Sequence, residues 1–162
     1  MGYYIEAEKK IQERVATREN LKLITRWRDL KFEEQQTLSG HKRGTFNALL
    51  ASPYANSGVK TLHVFVAEIP PGAQSSAHRH FNEAIIHIKS GKGYSIIDKR
   101  KITWEEGDTI CVPVFAWHQH FNLDPDKPVL FLGITNWGLM EALDLSQIEH
   151  FEGDLPYDVE ES

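Results

Sequence analysis

The stretch HRHFNE, residues 78–83, sets His78 and His80 two positions apart with Glu83 three positions further on, and HQHFN, residues 118–122, repeats the pair as His118 and His120. In an extended chain, residues two apart project from the same face. Each pair therefore turns two imidazoles the same way, and two such strands facing each other bring nitrogen donors together from distant parts of the sequence. Neutral imidazole binds iron, zinc, copper and nickel, so the chemistry on offer is metal binding. The spacing alone leaves a plainer alternative open, in which these are hydrogen-bonded core or surface histidines. His41, His63, His87 and His150 stand outside the pairs and read as structural or surface residues.

The elements that must position these residues are short strands. Between residues 61 and 135, β-favouring runs alternate with turn signals at close spacing: TLHVFVAEI before PPG, EAIIHIK before SGKG, YSIID and KITW around DKR, DTICVPV after EEG, WHQHFN before LDPDKP, then VLFLGIT. This pattern predicts an all-β barrel or sandwich. TFNALL supplies a first strand and SPYANSG a turn. Ahead of them, residues 4–15 predict a helix with a thin apolar stripe. The tail GLMEALDLSQIEHFE predicts a second helix, with Ser146 and Glu149 spaced as a capping box. The resulting division is an N-terminal extension over 1–44, a barrel over 45–137, and a C-terminal helix with an acidic tail over 138–162.

A chain of 162 residues, 41% hydrophobic and 25% charged, suits one globular domain with a real core. A net charge of −5 argues against nucleic acid or an anionic membrane as partner and favours small molecules. The single Cys111 cannot form an internal disulfide, and in the apolar run TICVP it is expected to be buried. No apolar run approaches the roughly 18 residues that span a bilayer, MGYYIEAEKKIQERV lacks the apolar stretch of a secretion signal, and MGYYIE is a poor myristoylation signal. The expected location is cytoplasmic.

Residues 72–91, with Gly72, His78, His80 and Gly91, resemble the first cupin motif. Residues 107–122, with Gly107, Pro113, His118 and Asn122, resemble the second. The resemblance covers about residues 45–135 and implies a cupin fold, a double-stranded β-helix or jelly-roll barrel. In the first motif an acid usually stands seven positions before the closing glycine; here that place is Ala84, and Glu83 is one position early. Strand alternation agrees, since Ala84, Ile86 and Ile88 form an apolar face opposite Ile85, His87 and Lys89. The resemblance thus implies a site of His78, His80 and His118, the three-histidine variant of cupins similar to gentisate 1,2-dioxygenase, whose members usually carry two cupin domains. Phe115 stands where the second motif normally has glycine.

What the resemblance implies chemically is Fe(II), with Mn, Ni or Zn as alternatives, an anionic chelating substrate, and O2. The substrate class is a small hydroxylated aromatic acid or an enolisable dicarbonyl, cleaved at a carbon–carbon bond. His120 is the candidate to orient substrate or shuttle a proton. Glu83 is the candidate to hold a ligand imidazole by its other nitrogen from the rim, with two alternatives open: a one-residue bulge that turns it inward as a direct ligand, and a plain solvated rim residue. Arg79, between two ligands, is expected to point away from the metal, and Arg100 and Lys101 sit in a turn unsuited to clamping an acid. A cupin isomerase, lyase or decarboxylase working without O2, and a non-catalytic binding module, are the competing functions. A homodimer is the family-based expectation.

Overall fold

The computed structural model describes residues 3–36 and 42–161; His41 lies outside them. A helix α1 (Tyr3–Ala16) and two short 3-10 turns precede β1 (Glu33–Gln36) and β2 (Lys42–Ala51). Next come β3 (His63–Ile69), β4 (His78–His80), β5 (Ala84–Ser90), β6 (Lys92–Ile97), β7 (Arg100–Glu105), β8 (Thr109–Val112), β9 (His118–Asn122) and β10 (Val129–Thr135). The chain ends with α2 (Trp137–Ala142), β11 (Ile148–His150) and β12 (Val159–Glu161). Among the described residues the strands form two six-stranded sheets, ordered β1-β2-β3-β10-β5-β8 and β11-β4-β9-β6-β7-β12. Pairing is antiparallel except where β12 runs parallel to β7. No helix among the described residues is long and apolar enough to cross a membrane.

Alternation decides which side chains fill the barrel. Along β5, Ala84, Ile86 and Ile88 are buried while Ile85, His87 and Lys89 are exposed, as the period-two pattern predicts. The first set packs with Ala67, Ile69, Val112, Val129, Phe131 and Trp104 in the main core. Gly91 turns β5 into β6 at φ +97°, a conformation that favours glycine. Gly133 leaves space for the Phe65 ring, which a side chain at 133 would strike. Asp98 and Lys99, both at positive φ, make the tight reversal between β6 and β7.

Two expectations need correction. The C-terminal helix exists but stops at Ala142, and Asp144 adopts a left-handed φ of +59°. Residues 148–150 are a strand, so Ser146 and Glu149 form no capping box. β4 offers an unpaired edge that β11 completes, with Ile148 opposite His80 and His150 opposite His78. Glu149 accepts hydrogen bonds from Arg79 Nε and Nη2 at 2.9 and 2.7 Å, fixing the register. A β-ladder and an ion pair thus override a local helical pattern. Cys111 is likewise exposed, not buried, because β8 alternates and buries Ile110 and Val112.

Candidate metal centre

His78 and His80 stand on β4 and His118 on β9, where His78 and His118 are direct partners in the ladder. Their ring centroids lie 4.3 Å (78–118), 4.7 Å (80–118) and 5.5 Å (78–80) apart, and one nitrogen from each falls within 4.8 Å of the others. The Nδ1 atoms of His78, His80 and His118 face the backbone carbonyls of Ser76 (2.9 Å), Asn82 (2.6 Å) and Ala116 (2.9 Å). A carbonyl only accepts, so each Nδ1 carries the proton and each Nε2 keeps its lone pair for a cation. Burial lowers the pKa of all three, most for His78 and His118; the charge of Arg43 adds to this at His78 and His80, and that of the neighbouring imidazoles at His118. Neutral, pre-oriented nitrogens are what a borderline cation such as Fe(II) or Zn(II) requires, so the donor set fits a resident metal.

His120 is also buried, on the same face of β9 as His118, with ring centroids 5.7 Å apart. Its Nδ1 lies 2.7 Å from Ser95 Oγ, which already accepts a bond from Trp104 Nε1 at 2.9 Å. With the serine hydroxyl donating to Nδ1, the proton of His120 stands on Nε2. Burial and the charge of His80 bring its pKa down to about 4. It is therefore neutral at pH 7.

Glu83 does not hold a ligand imidazole. It is exposed, accepts a bond from Asn136 Nδ2 at 2.9 Å, and its backbone N–H donates to Asn136 Oδ1 at 3.1 Å. The orienting task falls to main-chain carbonyls. Arg79 points outward, its guanidinium 4.0 Å from the Phe115 ring centroid and 4.6 Å from that of Trp117. Phe115, at φ +60°, stacks on Phe81 at 4.4 Å outside the cavity.

All three ligands and His120 face a cavity of about 780 Å³, within the range of small-molecule sites. Its apolar surface comes from Phe65, Ile86, Phe131 and Trp137 among others. Its polar lining includes Gln35, Arg43 and Asn47, which the sequence did not single out, and His63 and His150, which were read as structural or surface residues and instead line the cavity. Arg43 is half-buried, burial lowers its pKa, and no carboxylate among the described residues pairs with it. The missed signal was the alternation Arg43, Thr45, Asn47: all three line the cavity because β2 begins at Lys42, ahead of the apolar TFNALL run. His150 was missed because a strand, not a helix, carries it.

Residues 65–135 match the family described as "Cupin domain". The chain is 29% identical over 96 residues to a gentisate 1,2-dioxygenase of Aquipseudomonas alcaligenes, covering 59% of this chain and 27% of the relative. It is 28% identical over 104 residues to a 5-aminosalicylate 1,2-dioxygenase of Comamonas sp, covering 63% and 27%. The chain thus spans about a quarter of the length of the curated relatives it matches. Among solved structures, a cupin-2 domain from Rhodospirillum rubrum superposes with a TM-score of 0.57 at 22% identity, covering 83% of this chain and 80% of that one. Salicylate 1,2-dioxygenase from Pseudoaminobacter salicylatoxidans, with gentisate bound, gives 0.61 at 12% identity, covering 94% and 37%. The motif residues, the two-sheet barrel and the converging imidazoles agree with these matches: residues 65–135 match the cupin domain family, in a barrel whose fold resembles that of salicylate 1,2-dioxygenase.

Proposed function

We propose that this protein is a non-haem Fe(II) dioxygenase that cleaves a carbon–carbon bond of a small hydroxylated aromatic acid. The observation that carries the proposal is the pairing, in one cavity, of three neutral imidazoles offering Nε2 with a half-buried guanidinium that has no acid partner among the described residues. His78, His80 and His118 would hold the iron, and with no carboxylate in the cluster among the described residues the site would keep the full cationic charge that favours an anionic chelator. Ferrous iron supplies, when bound, the electron-transfer chemistry that lets O2 react with an electron-rich ring. Arg43 binds the substrate carboxylate and sets the ring's orientation. His120, neutral and held by Ser95, offers Nε2–H to an oxygen of the substrate and stabilises negative charge there. Phe65, Ile86 and Phe131 exclude water from the ring faces. One O2 is consumed per ring, both oxygen atoms enter the product, and one carbon–carbon bond breaks.

Relatives named as dioxygenases of gentisate and 5-aminosalicylate support this class of substrate. A homodimer and a cytoplasmic location belong to the same proposal; Ile5, Ile11 and Val15 on α1 are exposed and free to meet a second copy. The test is oxygen uptake by anaerobically Fe(II)-loaded protein against hydroxylated aromatic acids and 1,3-dicarbonyls, with metal content measured on the same sample. Uptake matched to a ring-opened product is expected. Turnover without oxygen would place the protein among the non-oxidative cupin enzymes instead.

A further inference from the structure

The match to the cupin domain ends at residue 135, but the lining of the cavity does not stop there. Ile148 and His150, both on β11, belong to it. Because β11 joins the outer edge of β4, the strands run β9, β4, β11 across the wall that carries the ligands. His118 flanks the β4 pair on one side. Ile148, opposite His80, and His150, opposite His78, flank it on the other. Residues directly opposite in an antiparallel ladder have Cβ atoms about 4.5–5.5 Å apart, and the rings of His78 and His150 lie 6.0 Å apart between centroids. His150 stays outside the three-nitrogen cluster. Ile148 offers only apolar bulk, so what it brings to the space beside His80 is shape.

A ladder of three residue pairs needs help to keep its register. A slip of one residue would exchange the faces of β11, turning Glu149 into the cavity and Ile148 and His150 out of it. Arg79, between the two ligands of β4, projects from the face turned away from the cavity and there holds Glu149 through Nε and Nη2. The guanidinium is itself seated on the rings of Phe115 and Trp117, and Phe151 packs edge-on against Trp117 at 5.7 Å. The Phe81 N–H donates to Gln147 O and the Phe151 N–H to Ala77 O, one bond at each end of the strand. Residues 141–147 and 151–154 on either side are exposed. The outer face of β4 therefore decides what β11 presents on the inner one.

We propose that β11 is a specificity element of the active site: Ile148 meets the edge of a bound aromatic acid beside His80 and limits how broad its ring system can be. Arg79, acting through Glu149, is the positioning residue that keeps Ile148 in place. This rests on the aromatic-acid function above and adds to it a segment, beyond the matched domain, that sets ring size.

The test compares salicylate with 1-hydroxy-2-naphthoate, which present the same adjacent hydroxyl and carboxylate and differ by one fused ring. That ring lies next to the hydroxyl, so it probes the space beside the metal ligands. Calorimetry on anaerobic Fe(II)-loaded protein measures both affinities without turnover, with metal content determined on each sample. Ile148→Ala is expected to shift the naphthoate-to-salicylate affinity ratio about tenfold toward naphthoate, and Ile148→Phe to shift it the other way, with metal content unchanged. Glu149→Gln should move the ratio in the direction of Ile148→Ala and raise deuterium uptake over residues 147–151, whereas Glu149→Asp should keep both near the unmodified values. A purely structural ion pair would lower the melting temperature and leave the ratio alone. A ratio unmoved in both folded, metal-retaining Ile148 variants overturns the specificity element while leaving the aromatic-acid function standing. A ratio that responds to Ile148 but not to Glu149→Gln overturns the role of Arg79. Failure of both ligands to bind the unmodified loaded protein overturns the aromatic-acid function and this inference together.

Discussion

At the scale of single residues, the site divides labour between side chains that bind and main-chain groups that aim. His118→Ala removes one of three nitrogens and is expected to abolish metal retention after gel filtration, whereas Glu83→Ala should leave metal content unchanged, because Glu83 touches Asn136 and no ligand. Metal analysis of both variants checks this, and loss of metal from the glutamate variant would return Glu83 to the site. Arg43→Gln keeps a hydrogen-bonding group but loses the charge. A buried charged bond is worth about 1.5–3 kcal/mol, so affinity for an aromatic acid should fall roughly 10- to 100-fold with metal content unaffected. His63 gives a pH signature. Burial and Arg43 hold its folded pKa below 6.5, so its contribution to stability is present above about pH 6.5 and lost as the pH falls through the folded value. The melting temperature should therefore decline on acidification below about pH 6.5, and less steeply in His63→Phe, as thermal scans without added metal would show.

At the scale of elements, the turn before β9 carries a testable balance. Phe115 pays about 1–2 kcal/mol for its left-handed backbone, and its stacking on Phe81 and under Arg79 returns a similar amount. Phe115→Gly removes both together and should shift stability by less than about 1 kcal/mol, whereas a β-branched residue there keeps the strain without the stack and should cost more; denaturant melts compare the two. Alternation in AIIHIK correctly turned Ala84 inward and Glu83 to the strand entry, because a strand with one buried face has a single workable register. H-x-H pairs on β4 and β9 were legible for the same reason. What stayed hidden depended on partners distant in sequence. The 148–150 segment has a helical spacing, and only the free edge of β4 makes it a strand; His150 came into the cavity with it. Arg43 was hidden because it precedes TFNALL, the run read as the first strand, and nothing local announces that β2 starts at Lys42; Asn47 lies within that run, and its place in the cavity depends on the facing sheet.

At the scale of the whole molecule, residues 154 and 155 strap the sheet that carries His78, His80 and His118. Gln119, on the outer side of β9, donates to Ser75 O and Asp154 Oδ1 and accepts from the Leu155 N–H, while Leu155 packs with Ala77, Ile96 and Phe121. Ending the chain after Glu152 would uncover this cluster and leave the Gln119 amide oxygen unpaired, at a combined cost of about 3–5 kcal/mol. A fall in melting temperature of roughly 10 °C is expected from calorimetry. The carbonyls of Ser76, Asn82 and Ala116 that aim the three imidazoles have a different consequence. Main-chain oxygens are present whatever the codon, so no point mutation deletes them directly. The facing wall is made of side chains, each open to replacement. A mutational library confined to positions 43, 47, 63 and 65 therefore varies the cavity wall while the carbonyls that aim the three imidazoles stay in place.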